Sequence, residues 1–187
     1  MITDLTEIKK YLKNKQICLL GNARSILNNT KNIDKYEIVC RMNHGYSRPN
    51  KELYIGKKTD ILFTSTKLSN KEILQFHSRY LIWMTKSIKR LPEHLRSCTI
   101  HNPPEDWQEL KDLYPNKQLP STGCIVINFL LKHIEFKSLT IYGFDNFLKS
   151  GTWYHGIKNQ AWHNGKFEKE LMENWFKNKS NIYWIKE

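Results

Sequence analysis

The stretch ICLLGNARSIL, residues 17–27, decides how the chain is read: an apolar run of strand character enters a Gly-Asn turn and leaves it with a helical pattern. The same rhythm recurs on the C-terminal side. Strands are expected at residues 17–20, 38–42, 61–64, 80–84, 98–101, 139–144 and 181–185. Helices are expected near residues 4–13, 70–76, 106–113, 121–134 and 167–178. Short strands separated by helical segments make an α/β protein. Its sheet is expected to be largely parallel and flanked by helices, with a ligand site at the carboxyl ends of the strands.

A length of 187 residues holds one ordinary domain with a sizeable core and is short for two. No repeat, low-complexity tract or Pro/Gly/Ser-rich linker divides the chain, so residues 1–187 are expected as one domain. The two least regular segments, residues 44–58 and 146–165, follow expected strand ends and are candidate binding loops or a lid.

Hydrophobic residues at 40% and aromatics at 12% exclude disorder. Thirty Lys and Arg against 18 acidic residues give a formal charge of +12, which favours anionic partners. The cations are scattered, as at Lys9 and Lys10 or Lys57 and Lys58, so a solvated lysine-rich surface is favoured over a dedicated nucleic-acid stripe. No apolar run approaches the ~18 residues that span a bilayer, and residues 1–15 are amphipathic rather than signal-like. A cytoplasmic location is expected, with peripheral contact at the inner membrane face through residues 86–90 weighed against an ordinary exposed helix end. Cys18, Cys40, Cys98 and Cys124 lack CxxC spacing and are expected as buried reduced thiols.

The Gly-Asn turn at Gly21 and Asn22 can bring backbone N–H groups to an anion, with Asn22 adding an amide; a tight turn alone explains Gly21 equally well. One glycine meets neither the GxGxxG fingerprint nor the GxxxxGK[ST] loop, which disfavours NAD binding and ATP hydrolysis. RMN, residues 41–43, sets Asn43 at the neighbouring strand end, where turn chemistry is the plain alternative. PSTG, residues 120–123, opens an almost wholly apolar helix. Ser121 or Thr122 can cap it, and its first-turn amides and dipole can also hold a phosphate or carboxylate.

Two histidines follow the last large apolar run: His155 in GTWYHG and His163 in WHNGKFE. Imidazole can take a proton from a hydroxyl near neutral pH, and its protonated form can stabilise a departing phosphate. Glu168, five residues after His163, suits the first turn of a helix. No DxD, HExxH or GxSxG pattern occurs, so no metal and no cofactor are expected.

Together these segments resemble the sialylmotifs of the sialyltransferases, glycosyltransferase family 29, which use CMP-sialic acid. ICLLGNARSIL with EIVCRMN and GKKTD resembles the large motif, PSTGCIVINFLL with LTIYGFD the small motif, and HNGKFE the very small motif, HxxxxE. The resemblance covers residues 16–60 and 117–168. It implies a single Rossmann-like domain of variant GT-A type and an inverting, metal-independent transfer to a sugar hydroxyl on a galactose-type glycan or glycolipid. It also implies that Asn22 and Asn43 contact the CMP donor, and that Ser121, Thr122 and Gly123 hold its nucleotide, phosphate or carboxylate beside Gly143. His163 would be the base and His155 would serve the leaving phosphate, with Gly21 and Glu168 in support.

The chain departs from animal members in having no cysteine near residues 132–135 to match the second cysteine of their disulfide, and the anchor and stem of Golgi members are not expected. It looks like a minimal bacterial or viral relative. A CMP-activated 2-keto acid such as Kdo is the alternative donor. A basic nucleic-acid-binding module with stacking aromatics, or a catalytically weak nucleotide-binding component, is the alternative class.

Overall fold

The computed structural model describes residues 4–46, 48, 50–148, 153–154 and 163–186. Each expected strand forms: β1 (Gln16–Leu20), β2 (Ile38–Met42), β3 (Ile61–Thr64), β4 (Tyr80–Trp83), β5 (Thr99–His101), β6 (Ser138–Tyr142) and β7 (Ile182–Trp184). They build one sheet in the order β5-β4-β3-β2-β1-β6-β7, and each neighbouring pair is parallel. The near-continuous burial of β1 to β4 explains why these strands read as apolar runs rather than as alternation: both faces are covered.

Side chains alternate between the faces. Ile17, Leu19, Ile38, Cys40, Ile61, Phe63, Leu139 and Ile141 enter the larger core. There they meet α1 (Leu5–Leu12), α5 (Pro104–Asp112), α6 (Thr122–His133) and α7 (Gly165–Phe176) through residues such as Ile8, Leu110, Phe129 and Met172. Cys18, Leu20, Val39 and Tyr142 point the other way, onto Ile26, Ile33 and Ile55. Ile55 lies in α2 (Glu52–Ile55). Leu62 and Leu81 continue that second face onto Phe76 of α3 (Asn70–Phe76).

This division follows from chain handedness. Strands β1 to β5 are laid down in one direction and β6 and β7 in the other. Right-handed crossovers therefore put the connections of the first set on one face and those of the second on the opposite face. The order reverses between β1 and β6, which makes their carboxyl ends the topological switch point.

The structure corrects several expectations. After the Gly-Asn turn there is no α-helix but a five-residue 3-10 turn, Arg24–Asn28, so no long helix dipole points back at Asn22. The run of residues 139–144 ends as strand at Tyr142, because Gly143 takes φ +67°. Two one-turn helices, α2 and α4 (Glu93–Arg96), were not expected. All four cysteines are free thiols, but Cys98 is partly exposed rather than buried. No helix among the described residues is long and apolar enough to cross a membrane.

Candidate functional site

Gly21 and Gly143 close the ends of β1 and β6 against each other. The Gly21 amide donates to the Tyr142 carbonyl at 2.8 Å and the Ala23 amide to the Gly143 carbonyl at 3.1 Å. A Cβ on Gly21 would overlap the Gly143 carbonyl oxygen, so the close backbone approach requires glycine. The two strand ends thus part over a small floor. Above it opens a cleft of about 580 Å³, counted with its open mouth.

The two asparagines enter from neighbouring strands with different commitments. Asn43, at φ +49°, donates from Nδ2 to Thr122 Oγ1 at 3.0 Å, and its Oδ1 accepts from the Ser65 amide at 3.0 Å. It therefore ties the end of β2 to the first turn of α6, and the Thr122 hydroxyl also meets Ser65 Oγ. Asn22 donates from Nδ2 to the Met42 carbonyl at 3.3 Å, while its buried Oδ1 has no hydrogen-bond partner among the described residues. A buried acceptor without a donor costs ~1 to 3 kcal/mol, so Asn22 Oδ1 is prepared for a donor brought by water or a ligand.

The far wall joins the starts of two helices. Ser121 caps α6 by accepting from the Cys124 amide at 3.2 Å. Its own hydroxyl donates to Glu168 Oε2 at 2.6 Å and its amide to Glu168 Oε1 at 2.8 Å; Tyr114 Oη donates to the same Oε1 at 3.0 Å. Glu168 is therefore not a solvated first-turn acid but a buried clasp, 1% exposed. Burial raises its carboxyl pKa, and the Ser121 and Tyr114 hydrogen bonds oppose that rise. With the Cys124 amide capped, the amides of Thr122 and Gly123 are the first-turn donors of α6 without an acceptor among the described residues.

His163 precedes the N-cap of α7, Asn164, whose Oδ1 accepts from the Phe167 amide at 3.1 Å. Its Nδ1 lies 3.0 Å from the Leu119 carbonyl. A carbonyl only accepts, so in the neutral ring the proton sits on Nδ1 and the lone pair on Nε2. The ring stacks on Phe147 at 5.3 Å and 28°. A backbone acceptor and an aromatic face thus fix the imidazole at the cleft wall.

Gly21, Asn22, Asn43, Ser121, Thr122, Gly123, Gly143, His163 and Glu168 all line this one cleft. His155 lies outside the described residues. Of the two residues before it, Trp153 lines the cleft and bridges Ala23, while Tyr154 is buried in the second-face core and donates its amide to the Asn22 carbonyl at 3.0 Å.

Four residues were given no site role from the sequence. Tyr114 lies in the stretch that matched no motif, and its partner Glu168 is 54 positions away. Asn146 and Phe147, both at positive φ, form the turn under His163 and open the segment expected as a binding loop or lid, residues 146–165. Arg41 was read only as the start of RMN. Its buried guanidinium donates to the carbonyls of Ile55, Gly56 and Lys58 and to Thr59 Oγ1, so it anchors the segment after Asn43. Burial pulls its pKa below the usual arginine range.

No protein-family model matches the sequence, and no curated protein matches it either. Solved structures do. A mammalian sialyltransferase superimposes with a TM-score of 0.65 at 18% identity, over 99% of this chain and 74% of that one. The fold is that of the sialyltransferases. The monofunctional α-2,3-sialyltransferase Cst-I from Campylobacter jejuni gives a TM-score of 0.62 at 18% identity, over 91% of this chain and 75% of its own. The sialyltransferase CstII from the same organism, in complex with cytidine-5′-monophosphate, gives 0.57 at 18% identity, over 92% and 80%. In this chain the sialyltransferase fold places its switch point at the cleft just described.

Proposed function

We propose that the chain is a sialyltransferase that moves sialic acid from CMP-sialic acid to a sugar hydroxyl, with inversion and without a metal. The observation that carries this reading is the pinned imidazole: His163, with its proton held on Nδ1 by Leu119, shares one cleft with the unpartnered Asn22 Oδ1 and the open first turn of α6. Such a cleft offers a base for a hydroxyl, an acceptor for a cytidine or ribose donor group, and backbone donors for an anion.

In the reaction, His163 Nε2 takes the proton of the acceptor hydroxyl while that oxygen forms its bond to the anomeric carbon. The bond from that carbon to the phosphate oxygen breaks, and CMP leaves with the electron pair. The Thr122 and Gly123 amides stabilise the charge on phosphate or carboxylate, Asn22 and Asn43 position the nucleotide, and Gly143 leaves room beside it. His155 keeps its sequence-based assignment to the leaving phosphate. Glu168 orients the site from beneath rather than exchanging a proton. The acceptor is a galactose-type glycan or glycolipid, and the domain works as one unit.

Two measurements test this. A CMP-sugar panel should raise the melting temperature with CMP-sialic acid ahead of CMP-Kdo; a ligand at 100 times its Kd stabilises the native state by about 2.7 kcal/mol. With CMP-sialic acid and a galactoside acceptor, His163→Ala should lose about 10²- to 10⁴-fold in transfer rate while still being protected by CMP. Absence of protection by any CMP compound would remove the donor assignment, and an undiminished rate in the variant would remove the base.

A further inference from the structure

Phe144, Asp145 and Asn146 line the donor cleft and also a second cleft of about 480 Å³, so the two share a wall. The second cleft is completed by Ser25, Leu148, Lys169, Trp184 and Lys186. Its chemistry differs from that of the first. Trp184 uses its indole N–H on the Phe144 carbonyl at 3.3 Å, which leaves the ring as its contribution. Lys186 rests 4.4 Å from that ring centroid and pairs with Glu173 at 2.8 Å, with both side chains about half exposed, so its ammonium exchanges readily with a better acceptor. Lys169 has no carboxylate within ion-pair distance among the described residues. Asn146, 5% exposed, has only the Met172 sulfur at 3.5 Å as a described partner for its amide nitrogen, a weak acceptor.

The Asp145 carboxylate in the shared wall is turned to the chain itself, with Oδ1 accepting from the Phe147 amide at 2.9 Å. An indole face, a hydroxyl, an amide with a weak partner and two ammoniums suit a polyhydroxylated ring that carries an acid. Placement agrees. Lys169 is the fifth residue of α7, so it stands about 6 Å along the helix axis from Gly165, next to His163. A glycan whose reacting hydroxyl meets His163 would set a neighbouring ring over the lysines.

We propose that this second cleft is an acceptor subsite for an acidic sugar, whose carboxylate is held by Lys169 and Lys186. The word acceptor rests on the transfer reading above; the binding of an acidic sugar does not. The test is calorimetry of the full chain with 3′-sialyllactose, lactose and inorganic phosphate, on the native protein and on K169A/K186A and Lys169→Glu. All of these positions are surface lysines whose loss leaves the core intact. Binding of 3′-sialyllactose at least tenfold tighter than lactose, weakened about tenfold or more in both variants, is expected. CMP protection against heating should be unchanged in the variants. Equal binding of lactose, unaltered binding of 3′-sialyllactose in K169A/K186A, or full displacement by equimolar phosphate would overturn the subsite. If CMP protects neither protein while sialyllactose binding still needs both lysines, the transfer reading falls and the acidic-sugar subsite stands.

Discussion

Glu168 shows how one residue can be read correctly in position and wrongly in surroundings. As an early acid of α7 it should complement the helix dipole from solvent; instead it is buried and accepts from Ser121 twice and from Tyr114 once. Desolvation raises its pKa, with those hydrogen bonds in opposition. The consequence has a definite sign. Between the unfolded value, about 4.3, and the raised native value, the native state binds more protons than the unfolded chain, so stability falls as pH rises through that window. Glu168→Gln removes this dependence and leaves one donor of the clasp facing an amide N–H, which should cost about 1 to 3 kcal/mol. Urea unfolding of both proteins across that window checks it. The stability advantage of the native protein over the variant should shrink with increasing pH, and an advantage that grows would contradict the assignment.

At the scale of elements, the helix opening α7 offers a case where two effects carry opposite signs. Gly165 is its first residue, and at an exposed helical position Gly→Ala stabilises by roughly 0.5 to 1 kcal/mol. Here a Cβ would overlap the Asn146 carbonyl oxygen, which is backbone and cannot swing aside. Overpacking of that kind costs about 1 to 3 kcal/mol, so the packing effect wins. Gly165→Ala should therefore lower the urea midpoint, and should weaken CMP protection because the displaced turn carries Phe147 beneath His163. A raised midpoint would show that the turn yields.

The same comparison explains what was legible in the sequence. Runs such as ICLL and EIVCRM announced buried strands, and the cap at Ser121 announced α6, because those signals are local. One-turn helices such as α2 have no period to detect. The 3-10 turn after Asn22 replaces an expected helix because Ala23 is drawn into a bridge with Trp153, 130 positions later in the chain. The cleft residues were legible as motifs, whereas Tyr114 and Arg41 were not, since their roles consist of contacts with distant backbone and side chains.

For the whole molecule, the order of the sheet determines how a ligand should be felt. The cleft draws on the ends of β1, β2 and β6 and the starts of α6 and α7, all at the middle of the sheet; β5 closes one edge, three strands away from β2. Amides that exchange only through global unfolding should slow together when CMP binds, by the factor 1 + [CMP]/Kd, about 100-fold at 100 times Kd. Those that exchange by local opening should slow only where the ligand is touched. Hydrogen exchange read by mass spectrometry should therefore show CMP protection in peptides covering residues 17–27, 119–127 and 139–147. Fast-exchanging amides of α4 and its approach to β5, residues 86–98, should keep their rates. Protection centred on that edge would move the nucleotide away from the switch point, to the part of the chain where no sequence motif pointed.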